Sequence, residues 1–178
     1  RFRTANARAA LEMNDLGAAA ELLAGVQSDE PDSKTRAEAE LVQARLAARS
    51  GDYDGARVRL EALVESPYEP IQARAILEQL RLDLDRDRIT IADAADALEE
   101  LRFRWRGDDS ELEATRLLGQ WYAEAGRYRR AFETMSAAEV RFAGTPLGRA
   151  VGDDMRRLFR RLYLDGEANR MDAIEAVA

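Results

Sequence analysis

Four stretches of the chain bring together residue types that could do chemistry. Asp83-Leu84-Asp85-Arg86-Asp87 sets carboxylates at alternate positions, as at the opening of a calcium loop. Such a loop needs glycine at its sixth position and a bidentate glutamate at its twelfth, where this chain has Arg88 and Ala94. The aspartates therefore read as a solvated turn neutralised by its own arginines. Leu101-Arg102-Phe103-Arg104-Trp105-Arg106 interleaves arginine with aromatic residues, as some single-strand binders do. Helical spacing instead groups Trp105 with Leu98 and Leu101 on an apolar face and leaves the arginines near a helix C-terminus, where they complement the dipole. Arg106-Gly107-Asp108 spells a cell-adhesion tripeptide, but its glycine already has a helix-ending role before Ser110. Arg156-Arg157 and Arg160-Arg161 form the densest basic cluster. They flank a stripe of Met155, Phe159 and Leu162, and Asp153 is placed to pair with Arg157 four residues on. An anionic peptide or lipid headgroup would suit that cluster, but a solvated helix flank is the preferred reading.

What is missing narrows the chemistry further. The chain contains no cysteine and no histidine. That removes disulfides, thiolate nucleophiles, imidazole bases and the usual zinc sites. There is no Gly-rich phosphate loop and no G-x-S-x-G elbow. No metal site or cofactor is called for, and an enzyme remains only a remote alternative. With 34 acidic against 27 basic residues the net charge is −7, which argues against a nucleic-acid partner. No stretch approaches the ~20 apolar residues of a membrane helix. All but one of the basic residues are arginine, Lys34 being the exception. Together with the abundant alanine, this points to a GC-rich bacterial genome. The chain opens on Arg1-Phe2-Arg3 without an initiator methionine or an apolar signal core, and is expected to be a piece of a longer protein.

The elements that must position these residues are helices. Met13-Asn14-Asp15, Ser50-Gly51-Asp52 and Ala125-Gly126-Arg127 each interrupt an apolar helical pattern for a few residues only, with a residue suited to the left-handed helix-ending conformation. Longer polar gaps at 28–34, 66–70, 107–110 and 143–146 lie between them. Start signals follow: Thr35 with Glu38 and Ser110 with Glu113 fit capping boxes, Thr145-Pro146 fits an N-cap and first-turn proline, and Thr90 with Asp93 is a similar start. No strand pattern remains.

Asn14 and Gly51 are 37 residues apart, and Gly51 and Gly126 are 75 apart, two steps of about the same size. Gly51-Asp52-Tyr53-Asp54-Gly55-Ala56 and Gly126-Arg127-Tyr128-Arg129-Arg130-Ala131 share a Gly-x-Tyr-x-x-Ala turn, with a small residue (Ala44, Gly119) seven positions before the glycine. Leu118-Gly119 is followed by Tyr122. Asn14, Leu16, Ala19, Ala7 and Pro31 fit the same frame one unit earlier. In these residues the chain resembles the tetratricopeptide repeat (TPR) family. Residues 70–108 supply a degenerate unit, with Ile76, Leu77, Leu80 and Leu84 on its first helix and Ile91, Ala94, Leu98, Leu101 and Trp105 on its second. A fifth unit places Val151, Met155, Phe159 and Leu162 inward, turns near Asp165-Gly166, and carries Ile174 and Val177 on an incomplete second helix.

The resemblance implies an all-α, right-handed superhelical stack of about five helix-turn-helix repeats, forming one solenoid over residues 1–178 with approximate units 1–34, 35–69, 70–108, 109–144 and 145–178. It implies a non-catalytic protein-interaction scaffold whose first helices line a concave groove for a peptide or partner helix. On the matching units those positions are Arg8, Arg45, Arg49, Arg116 and Gln120. Arginine forks suit carboxylates, so an acidic segment or chain terminus is the expected partner, unless the arginines pair with neighbouring acids such as Glu12, Glu38, Glu113 and Glu124. The alternative is a structural spacer or assembly segment of a longer repeat protein, with no dedicated ligand. Apolar residues at both ends lead to an expectation of self-association through an end helix. The compartment is open between bacterial cytoplasm and periplasm, leaning to the periplasm.

Overall fold

A computed structural model of the chain describes residues 2–24, 26, 33–104 and 109–166. Among the described residues the fold is all helical. The elements run α1 (Phe2–Glu12), α2 (Leu16–Ala24), α3 (Ser33–Arg49), α4 (Tyr53–Val64), α5 (Glu69–Asp85), α6 (Ile91–Arg104), α7 (Asp109–Glu124), α8 (Tyr128–Arg141) and α9 (Pro146–Phe159), which continues into a π-helical turn at Arg160–Leu164. They gather into two compact units, residues 1–88 and 89–178. The division falls between α5 and α6, inside the third of the expected repeats.

In the first unit α1 packs on α2 and α3 on α4, while α2 lies against α3 and α4 against α5. The first helices α1, α3 and α5 also touch in succession. Local chemistry sets the hairpins. Asn14 (φ 61°) and Gly51 (φ 86°) are left-handed. The next N–H then returns to a carbonyl five residues back, Asp15 to Ala10 (2.8 Å) and Asp52 to Ala47 (2.9 Å), which satisfies an orphan helix-end carbonyl. Each aspartate also caps the following helix, accepting from Ala18 N–H and Gly55 N–H at 3.0 Å. The Asp/Arg-rich turn after α5 adopts the same form without a glycine: Asp87 has φ 53° and Arg88 N–H reaches the Asp83 carbonyl at 2.9 Å. The same left-handed helix-ending form thus recurs at residues 14, 51, 87 and 126, and Asp83 pairs with Arg88 (3.6 Å).

Small residues occupy the closest approaches. Ala7, Ala19, Ala44 and Ala56 are 0% exposed, among Leu11, Leu23, Leu41, Val42, Leu60 and Leu63. On α5 the inward stripe is Ile71, Ala75 and Leu82; of the residues expected there, Leu77 is buried but Ile76, Leu80 and Leu84 are only half-buried. Steps of four and seven from Ile71 hold one face of a 3.6-residue helix, and the stripe passes through Glu78.

In the second unit α6 packs on α7, α7 on α8, α8 on α9, and the first helices α7 and α9 touch. Gly126 (φ 75°) and the Arg127 N–H to Tyr122 carbonyl bond (2.8 Å) repeat the turn. Ala131 is fully buried, and a Cβ at Gly119 would lie 2.7 Å from Met135 Cγ on α8, so a larger residue there would force that side chain to shift. Thr145 caps α9 through Gly148 N–H (2.9 Å) and Pro146 follows, as expected. Thr90 and Asp93 cap each other's N–H groups at 3.1 Å. Thr35, by contrast, is no N-cap: α3 already begins at Ser33, and Thr35 is buried within its first turn.

The inward face of α9 also differs from expectation. Val151, Leu158 and Leu162 are buried, Met155 is half-buried, and Phe159 is 50% exposed. Two steps of four rotate about 80° around a helix of 3.6 residues per turn, which carries Phe159 off the face set by Val151, whereas Leu158 stays within about 20° of it. Phe159 instead meets Phe132 edge-on (6.5 Å) and Tyr163 (4.8 Å) near the surface. Pro31, Trp105, the Arg106-Gly107-Asp108 tripeptide, the Ser110 side chain, Ile174 and Val177 lie outside the described residues.

Candidate functional site

The five side chains expected to recognise a partner project from α1, α3 and α7, and four of them reach a neighbouring first helix of their own unit. Arg49 on α3 donates back to the Leu11 carbonyl at the C-terminal end of α1, a favourable place for a cation. Arg45, one turn earlier, reaches forward to Glu78 on α5 (Nη2 to Oε1, 2.7 Å), where Arg81 also donates (3.0 Å). Arg116 on α7 holds Asp154 on α9 with Nε and Nη2 (2.5 and 3.3 Å), and Gln120 Nε2 donates to the same carboxylate (3.1 Å). Arg157 completes that cluster. Among the described residues Arg8 makes only an exposed pair with Glu12 one turn on (3.7 Å). The structure thus joins Arg116 with Gln120 around one acid, joins α1, α3 and α5 through Arg49 and Arg45, and leaves Arg8 apart.

Electrostatics follow the geometry. Burial alone would push the Asp154 carboxyl up, but the Arg116 hydrogen bond and charge, with Arg157 and Gln120, hold it below the ordinary value. The same bond holds the Arg116 guanidinium above its usual range. A second cluster joins α6, α7 and α8. Tyr122 Oη donates to Glu99 (2.6 Å) beneath Arg127 and Arg130, and burial together with the Glu99 bond pushes its phenol up to about 12. Arg127 also grips Asp96.

Glu78 and Asp154 were not anticipated as partners; the acids considered lay on the arginines' own helices. A signal was present nonetheless. Glu78 falls between Ala75 and Leu82, and Asp154 between Val151 and Leu158, so each acid interrupts an apolar helical stripe. Glu111 does the same ahead of Thr115, Leu118 and Tyr122, and Arg141 of α8 meets it at 2.7 Å. A carboxylate on an inward stripe needs a cationic partner, because burying an unpaired charge is costly. In the basic cluster of α9, Asp153 pairs with Arg156 (2.7 Å) rather than with Arg157, which is taken by Asp154.

Among the described residues no three acidic side chains converge as metal ligands, and no helix is long and apolar enough to cross a membrane. Comparison with protein-family models, curated proteins and solved structures finds no match to this chain.

Proposed function

We propose that the chain is a TPR-like interaction scaffold that takes an acidic peptide segment or chain terminus on the first-helix faces of its repeats. The observation that carries this is the recurrence of one turn at Asn14, Gly51, Asp87 and Gly126, with a fully buried alanine five residues after three of them. Regular helix pairs of this kind build extended binding faces. On those faces Arg8, Arg45, Arg49, Arg116 and Gln120 supply donors suited to carboxylates. An incoming acidic side chain would exchange for Glu78 or Asp154 and so would meet preformed forks. A fluorescent Asp/Glu-rich peptide, titrated by anisotropy, tests this. Binding should weaken as salt rises, since exposed charges are screened within ~8–10 Å, and should be lost in Arg45→Glu. An affinity indifferent to both would remove the proposal.

The internal pairing of Arg45, Arg49, Arg116 and Gln120 favours instead a structural spacer, in which these residues lock successive first helices together. A spacer shows no saturable binding in the same titration and loses stability in Arg45→Glu.

A further inference from the structure

Two Asp-Gly dipeptides occur in the chain, Asp54-Gly55 and Asp165-Gly166. Both aspartates are exposed, so access to water does not separate them. Their backbones do. We propose that Asp165 is a site of spontaneous conversion to isoaspartate, and that the fold shields Asp54 from the same reaction.

The reaction needs a free main-chain N–H directly after a free carboxyl. The Gly166 nitrogen attacks Cγ of the protonated Asp165 side chain. The N–Cγ bond forms, the Cγ–OH bond breaks, and the amide hydrogen leaves with that hydroxyl as water. A second water then opens the five-membered ring. Addition at Cγ restores aspartate, whereas addition at the Asp165 main-chain carbonyl carbon breaks the original peptide bond and leaves the chain running through the side-chain carbonyl. No atom is gained or lost overall, and no oxidant or cofactor takes part. Glycine favours the first step because it has no Cβ to crowd the nitrogen or restrict its movement.

At Asp165 these conditions are met. The last hydrogen bond of the π-helical turn runs from Asp165 N–H to the Arg160 carbonyl (3.0 Å). Gly166 is the first residue beyond it, left-handed at φ 78°, and its N–H has no acceptor among the described residues. Nor does the Asp165 carboxylate take part in an ion pair or hydrogen bond among them. Asp54 is held differently, in the first turn of α4. Gly55 N–H donates to the Asp52 carboxylate and Ala56 N–H to the Asp52 carbonyl, each at 3.0 Å. Ala56 is fully buried in the cluster with Leu41 and Ala44 of α3. Turning the Asp54-Gly55 peptide toward the side chain would break the cap and draw Ala56 out of that cluster, so reaction there must wait for α4 to unwind locally. The same rotation at Asp165 breaks no hydrogen bond among the described residues. Its product lengthens the main chain by one carbon at the turn that leads out of α9.

Trypsin releases the two sites on separate peptides, residues 50–57 and 162–170, which makes the comparison internal to one sample. The whole chain is incubated for weeks at neutral pH, folded or in denaturing urea, then digested and resolved by chromatography with mass detection. In the folded chain the 162–170 peptide should split into two peaks of equal mass, the later-formed one carrying isoaspartyl fragment ions. It should do so at least about tenfold faster than the 50–57 peptide, the scale of having first to open a capped helical turn. In urea both peptides should split at similar rates. Asp165→Glu should abolish splitting of 162–170, because the ring would then need a sixth member. A 162–170 peptide that stays single in the folded chain, or equal rates at the two sites without urea, would overturn the proposal. So would a silent Asp54 in urea, since its protection would then lie in its sequence neighbours and not in the fold.

Discussion

Asp154 lies between Val151 and Leu158 on the inward face of α9, 8% exposed and held by Arg116, Gln120 and Arg157. Its carboxyl titrates below the ordinary value of about 3.9, so the folded chain binds that proton less tightly than the unfolded chain. The stability that results is present above the unfolded value and is lost as pH falls through the folded one. Asp154→Asn should therefore cost about 1–3 kcal/mol at neutral pH, leaving Arg116 without its counter-charge. Urea denaturation should show the gap from wild type closing in acid; an equal gap at both pH values would mean that shape matters there and charge does not. Tyr122 works in the opposite sense. Its phenol is pushed up to about 12 by burial and by Glu99, so its contribution is intact below the ordinary tyrosine value of about 10 and is lost as pH rises through about 12. In an alkaline titration followed by tyrosinate absorbance, Tyr122→Phe should remove the step at highest pH.

Helix pairs are set by their turns and by the small residues that let them meet. Gly126 is left-handed at φ 75°, a conformation that costs residues with a Cβ about 1–2 kcal/mol, and Gly126→Ala should lose roughly that amount in thermal melts. Asp87 already occupies the equivalent place at φ 53°, so Asp87→Gly should be neutral or stabilising. A loss as large as that of Gly126→Ala would mean that the Asp87 side chain, not its backbone, holds the turn. Ala131 has no exposed surface where α8 packs on α7, and Ala131→Leu should cost about 1–3 kcal/mol by overpacking. Neutrality at both Ala131 and Ala56 would contradict the close approach of these pairs. The turns at Asn14, Gly51 and Gly126 could be read in the sequence because helix-ending chemistry is local. At Asp87 the turn could be read but not its left-handed form, because aspartate signals a cap or a solvated loop as readily as a left-handed residue. The α5 and α9 stripes were misread in part for a related reason: large apolar residues drew the face toward Leu80 and Phe159, when the better periodicity ran through an acid.

At the scale of the whole chain, residues 1–88 enclose their own clusters, one around Ala7, Leu11 and Leu23 and another around Ala44, Leu60 and Ile71. Repeat stability is the sum of such neighbour interfaces, so residues 1–88 expressed alone should keep helical circular dichroism and a cooperative thermal transition. Loss of that transition would show that this unit depends on the rest of the chain. The sequence by itself determined the helical class, the places where most helices turn, and which alanines and glycines sit at close contacts. Each of these follows from 3.6-residue periodicity, from capping, or from the Cβ a position can tolerate, all of which act within a few residues. Tertiary structure decided what the charged residues do. Arg45 meets Glu78 33 residues away, Arg116 meets Asp154 at 38, and Arg141 meets Glu111 at 30. Those pairings exist only once helices distant in sequence lie side by side, because a long flexible guanidinium takes whichever carboxylate the packing brings within reach.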